Sequence, residues 1–164
     1  MYRIMRKINK DGLLLCNLQA KAFELAVDLT TVSSEIFIRR FMNSKIAKTL
    51  DNESILQSNI HEKDIIYILE EEYGKSNYGS VKFTHNEMFW IGYLYRYFSY
   101  TYELSSVQVY KIIKPKELRE LFFAYHTMDT SQAIERILES KGLLYDEEHE
   151  LQRQYEIYKK IRNI

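Results

Sequence analysis

Apolar side chains recur every three or four residues along most of this chain, which is the spacing of an α-helix. Five glycines and one proline in 164 residues are fewer turn residues than many short strands would need. The pattern therefore predicts an all-α fold, a single-domain helical bundle over residues 1–164. Helices are predicted at about 17–29, 33–42, 61–72, 84–103, 105–114, 115–125, 129–142 and 145–161, with a short helix starting at 51–53.

The helix from Thr84 to about Glu103 is predicted to be the centre of the bundle. Thr84 and Glu87 have the spacing of a capping box, which fixes a helix start. Beyond it the helix is apolar on most of its circumference, and Arg96 is its only charge before Glu103. Helices of this kind are normally buried on all sides.

The first eighteen residues leave two interpretations open. Asn9–Gly12 is a turn signal between the apolar stretches 2–8 and 13–18, which allows a short N-terminal hairpin. A helix interrupted by a turn fits the same residues.

Composition and charge exclude several classes of protein. Basic and acidic side chains number 23 each, so the chain lacks the overall positive charge of a typical nucleic-acid binder. One cysteine allows no internal disulfide, and no apolar run approaches the roughly 20 residues of a membrane span. We expect a cytoplasmic protein without a membrane partner. The excess of residues with AT-rich codons suggests a bacterial or phage source.

No pattern along the chain indicates catalysis or a cofactor. Cys16 lies in an apolar stretch, where a thiol is inert, and the four histidines are far apart without a third metal ligand nearby. Gly74-Lys75-Ser76 lacks the upstream glycine of a phosphate loop. We therefore expect no catalytic residue, no metal site, no cofactor and no enzyme activity.

Two sets of residues are candidates for binding a protein partner. Arg96 lies among Tyr93, Tyr97 and Tyr100, and arginine with tyrosine is a frequent anchor of protein interfaces. The alternative is that Arg96 is buried and paired with a carboxylate. The second set is a narrow apolar stripe on the charged C-terminal helix, which either docks on another chain or closes this domain: Leu151, Tyr155, Tyr158 and Ile161.

Nucleic-acid binding is the alternative function. Residues 1–50 carry nine basic and four acidic side chains, whereas residues 51–82 carry three and seven. The basic candidates for phosphate contact are Arg39, Arg40 and Lys45. They would make the chain a DNA-binding regulator of transcription, and the same charge asymmetry would steer a protein partner.

Three strings in the second half of the chain resemble one group of proteins: residues 90–97, 109–115 and 132–136. The group consists of small, uncharacterised bacterial helical proteins associated with toxin–antitoxin or defence gene pairs, on the antitoxin side. The resemblance implies no catalytic residues. It implies a protein that neutralises a cognate toxin by binding and occluding it, which is the function we expect ahead of DNA binding.

Overall fold

The computed structural model describes residues 1–145 and 147–163, and within those ranges it is helical with no β-strand. This confirms the predicted all-α class. A 3₁₀ turn at Ser54–Gln57 separates the third and fourth helices. The helices are α1 (Lys10–Leu29), α2 (Ser34–Met42), α3 (Lys45–Asp51), α4 (Glu62–Tyr73), α5 (His85–Tyr102), α6 (Ser106–Ile112), α7 (Pro115–Tyr125), α8 (Thr130–Ser140) and α9 (Glu147–Arg162).

α5 is the central helix, as its apolar circumference predicts. It contacts α1, α6, α7 and α8, and 12 of its 18 residues are buried. The Thr84 hydroxyl accepts from the Glu87 N–H at 3.1 Å, and the Glu87 carboxylate accepts from the Thr84 N–H at 2.9 Å. The predicted capping box therefore exists and satisfies two backbone donors at the start of α5.

α1 is the main neighbour of α5, and the two backbones approach closely at Gly92. A Cβ atom at this position would lie 3.0 Å from the Ala20 Cα and 3.0 Å from the Gln19 carbonyl oxygen. The Gln19 amide also donates to the Gly92 carbonyl oxygen at 3.0 Å. Only glycine permits this approach, which sets the spacing of the two longest helices.

The N-terminal hairpin, one of the two interpretations of the first eighteen residues, does not form. The Asn9 side chain accepts from the Gly12 N–H at 2.9 Å and caps α1, so residues 13–18 are helical. Tyr2 instead forms an isolated parallel bridge with Leu144. The asparagine that signals a turn is here a helix cap, a role for which asparagine is equally suited.

The other predicted helix ends are nearly all found. Ser33, Ser105 and Asp129 each accept from a backbone N–H in the following first turn, and Pro115 opens α7. Residues 51–53 differ from the prediction, because Asp51 ends α3 and Glu53 has a left-handed backbone with φ of 65°.

The buried apolar side chains form one cluster, drawn from α1 to α8 and from the segments between them. Among the side chains that the structure describes, none from α9 belongs to this cluster. No helix in the described ranges combines the length and the apolar composition that a bilayer span requires.

Candidate functional site

Arg96 is an internal residue, and each of its three guanidinium nitrogens donates to a protein group. Its side chain is 1% exposed, and one guanidinium nitrogen lies 2.7 Å from the Asp51 carboxylate. Burial lowers the pKa of Arg96, and the Asp51 carboxylate opposes that shift, so the guanidinium stays charged. The same group also donates to the side chains of Gln19, Ser99 and Ser106.

This network links four helices at one point. Asp51 ends α3, and its carboxylate also accepts from the backbone N–H of Ser106 in α6 at 3.1 Å. Gln19 brings in α1. The structure therefore agrees with the buried interpretation of Arg96, and contact of Arg96 with a partner would require this network to open.

Tyr100 is also an internal residue. It is 4% exposed, and its hydroxyl donates to the Asn9 side-chain oxygen at 2.6 Å. The Arg6 guanidinium lies 3.5 Å from the centre of its ring. Tyr100 thus holds the N-terminal segment against α5 and, unlike Tyr93 and Tyr97, is not on the surface where a partner would bind.

A polar cleft of about 480 Å³ opens beside the Arg96 network. Two of its three carboxylates are engaged, Asp51 with Arg96 and Glu53 with Arg6 at 3.5 Å, and the third belongs to Glu103. Cys16 is fully buried, and burial raises its pKa to about 12, so the thiol is not a nucleophile at neutral pH. Among the residues that the structure describes, no group of three or more His, Cys, Asp or Glu is placed to hold a metal ion.

Tyr93 and Tyr97 lie on the one strip of α5 that the other helices leave half-exposed. Tyr93 stacks on Phe89 with ring centres 6.5 Å apart, and on Tyr97 with ring centres 6.2 Å apart. Burial raises the pKa of both tyrosines, so their hydroxyls remain protonated donors. We call Phe89, Tyr93 and Tyr97 the aromatic ladder.

Phe89 and Tyr93 of the ladder, together with Trp90, form one wall of a groove of about 450 Å³. The opposite wall is α7, where Phe122 meets the Trp90 ring edge-on at 5.8 Å and stacks on the His126 ring at 4.3 Å. Asn86 and Thr130 provide polar groups at its edges. We call this surface the aromatic groove.

Sequence reasoning named Tyr93 and Tyr97 but missed the α7 wall. It also missed Phe123, which lies outside the groove lining and is 88% exposed. Its position about 140° around the helix from the buried Leu118 was the available signal, because an aromatic residue there is turned to solvent.

The C-terminal stripe is exposed along its length. Leu151, Tyr155, Tyr158 and Ile161 are between 58% and 66% exposed, and α9 makes no extensive contact with any other helix of the described chain. Of the two alternatives for this stripe, the structure does not show the one in which it closes the domain. Docking on another chain stays a prediction.

The basic candidates lie at the corner between α2 and α3, next to acidic residues. Arg39 is exposed, and the Arg40 guanidinium lies 5.6 Å from the ring centre of Tyr73 at the end of α4. The backbone N–H of Lys45 donates to the Glu72 carboxylate at 3.1 Å. Glu72 therefore offsets part of the positive field that a DNA phosphate would meet.

Comparison with known proteins gives no relative for this chain: no family model matches it, nor does any curated protein or solved structure.

Proposed function

We propose that this chain is an antitoxin-like protein that neutralises a cognate protein partner by binding and occluding it. The aromatic groove is the proposed binding surface, and the observation that supports it is that the partly exposed rings of Phe89, Tyr93 and Phe122 line one groove with Trp90. Aromatic side chains are enriched at protein interfaces because they bring a large apolar area and, in tyrosine, a hydrogen-bonding group to the same place.

The groove has the properties of an interface centre. Its walls are two packed helices, so the rings of Phe89, Tyr93 and Phe122 are held in place before a partner arrives. Aromatic anchors in rigid pockets dominate the free energy of many protein interfaces. The Tyr93 hydroxyl and the His126 ring add polar groups that would orient a partner side chain.

A groove between two helices suits a row of apolar side chains, which a helix or an extended segment of the partner would present. The groove volume of about 450 Å³ suits the side chains of one inserted segment. If the inserted segment borders the active or binding site of the partner, binding of this chain would block access to that site.

The choice of a toxin as the partner rests on the resemblance of three strings to antitoxin-side proteins. One of these strings, residues 90–97, contains Trp90, Tyr93 and Tyr97. The residues that carry the resemblance therefore overlap the residues that line the groove and the ladder.

The test is co-expression with the product of the adjacent gene, followed by titration of the purified proteins. Trp90 is the only tryptophan of the chain and lines the groove, so its fluorescence reports occupancy directly. We expect the adjacent gene product to inhibit growth, this chain to restore growth, and the Trp90 emission to shift on binding.

Tyr93→Ser is the variant that separates groove binding from other contacts. Loss of a central aromatic anchor should raise the Kd roughly 30-fold or more and remove the growth rescue. Tyr67→Ser is the matched control, since Tyr67 is half-exposed on α4 and outside the groove. Equal binding by the Tyr93 and Tyr67 variants would reject the groove as the site, and absence of a binding partner would reject the proposed function.

A further inference from the structure

α9 presents an apolar stripe that nothing in the described chain covers. Leu151, Tyr155 and Tyr158 follow one another at spacings of four and three residues. This is the spacing of the apolar residues along the seam of a two-helix coiled coil. Ile161 extends the seam along one side. At 1.5 Å per residue the 16 residues of α9 form a rod about 24 Å long.

The charges of α9 are separated along its length. The residues at its start include Glu147 and Glu150, and those at its end include Lys159, Lys160 and Arg162. This order complements the dipole of the helix itself, which helps to explain why α9 is helical without packing against the other helices.

The separation of acidic and basic residues along α9 also determines how a second helix can lie beside the stripe. Two copies of α9 in parallel would place acid beside acid and base beside base. Two antiparallel copies would place the acidic start of each helix beside the basic end of the other. Like charges across an interface destabilise it and opposite charges steer it, so an antiparallel copy is electrostatically favoured.

We propose that α9 pairs with the α9 of a second copy of this chain, in antiparallel orientation about a two-fold axis. A two-fold pairing buries the stripe of both copies in one closed dimer and creates no open filament. It also supplies the packing that a helix of this length normally needs, since isolated helices of about 15 residues are marginal in water.

The size of the contact predicts a weak dimer. Each helix contributes one narrow stripe about 24 Å long, which is less surface than the roughly 1,200–2,000 Å² buried by stable complexes. The dimer should therefore form and dissociate rapidly, in the micromolar range or weaker. The aromatic groove lies on α5 and α7, so the dimer is independent of the function proposed for that groove.

Sedimentation of the full chain over a wide concentration range tests the association. We expect the mass to rise from 19.8 kDa towards twice that value as the concentration increases. The double variant Leu151→Gln and Tyr158→Gln should raise the dissociation constant at least about tenfold, because it removes two apolar side chains from the seam.

The matched control is Glu156→Gln with Lys160→Gln. These two residues lie on the face of α9 opposite the stripe, and their joint substitution keeps the net charge. The control should dimerise like the original chain. A chain that stays monomeric at all concentrations, or a control that loses dimerisation as completely as the stripe variant, would overturn the proposal.

Thiol cross-linking tests the orientation with a reagent that spans about 10 Å, roughly two helical turns. Glu147→Cys and Arg162→Cys place one thiol at either end of α9, and the buried Cys16 thiol, whose pKa burial raises to about 12, does not compete. Antiparallel pairing predicts cross-links only when the two variants are mixed. Cross-linking of Glu147→Cys with itself would show a parallel pair and reject the proposed arrangement.

Discussion

α5 and α9 are both helices with regularly spaced tyrosines, yet three of the five tyrosines of α5 are buried and both tyrosines of α9 are exposed. In α5 Tyr95, Tyr100 and Tyr102 are 4% exposed or less, whereas in α9 Tyr155 and Tyr158 are 58% and 60% exposed. The difference lies in the residues between the tyrosines. Between its first and last tyrosine α5 has apolar or small residues and a single charge, Arg96, whereas most residues of α9 outside its apolar positions are charged or carry an amide.

This contrast shows that the width of the apolar arc determines how a helix is used. A wide arc requires neighbours on several sides, and only the interior of the chain's own fold supplies them. A narrow stripe needs one neighbour. A second chain can supply that neighbour as well as the same chain can.

The two helices also treat an arginine differently. Arg96 of α5 is enclosed and pairs with Asp51 at 2.7 Å, while Arg153 of α9 is 65% exposed and pairs with Glu150 at 2.7 Å. The two distances are equal and the two carboxylates are equally exposed at 19%, so the difference is that the Arg96 guanidinium is shielded from water and the Arg153 guanidinium is not. Screening makes exposed pairs weak, and burial makes the loss of one partner costly.

The largest effect should follow from Arg96→Ala. The substitution leaves the Asp51 carboxylate without its cation and opens space among four helices, so the free energy of unfolding should fall by about 3–5 kcal/mol. Urea denaturation followed by far-ultraviolet circular dichroism measures this difference.

Arg153→Ala is the matched control for Arg96→Ala, because it removes an arginine whose pair is exposed to water. It should leave the denaturation midpoint unchanged. Similar losses for both variants would contradict the distinction drawn between the two helices, and a stable Arg96→Ala protein that fails only in partner binding would return Arg96 to the role of an anchor.

A smaller effect is expected at the start of α5. Thr84→Ala removes the hydroxyl that accepts from the Glu87 N–H, and the free energy of unfolding should fall by about 1 kcal/mol. Thr84→Ser keeps the hydroxyl and should retain most of the stability. Thermal unfolding of the three proteins checks the order, and a serine variant as unstable as the alanine variant would show that the lost methyl contact matters instead.

The sequence predicted the helices and their ends because both depend on residues close together along the chain. The Thr84–Glu87 box, the Ser105 cap and the Pro115 start are local patterns, and the structure has all three. The Asn9 signal failed because the same local pattern suits a turn and a helix cap. Only contacts with distant residues, such as the Tyr100 hydroxyl, decide between them.

The candidate surfaces were less predictable because they depend on which helices become neighbours. Periodicity placed Arg96 and Tyr93 on the same helix but did not distinguish the face covered by α1 from the face that borders α7. The Asp51 partner of Arg96 is 45 residues away in the sequence, and no local pattern connects them. Likewise Phe122 and Trp90 form one groove only after α7 has folded against α5.

The smallest effect on stability is expected from substitutions in the α9 stripe. This prediction tests most directly the contrast between the buried α5 and the exposed α9. At concentrations too low for dimers, Leu151→Gln with Tyr158→Gln should leave the thermal midpoint unchanged, because neither side chain belongs to the buried cluster. Leu94→Ala in α5 is the contrasting variant, and loss of that fully buried side chain should cost about 2–5 kcal/mol. If the stripe variant were destabilised to a similar extent, α9 would pack against the other helices in solution. Its stripe would then be part of the core, and pairing with a second copy would have no surface left to use.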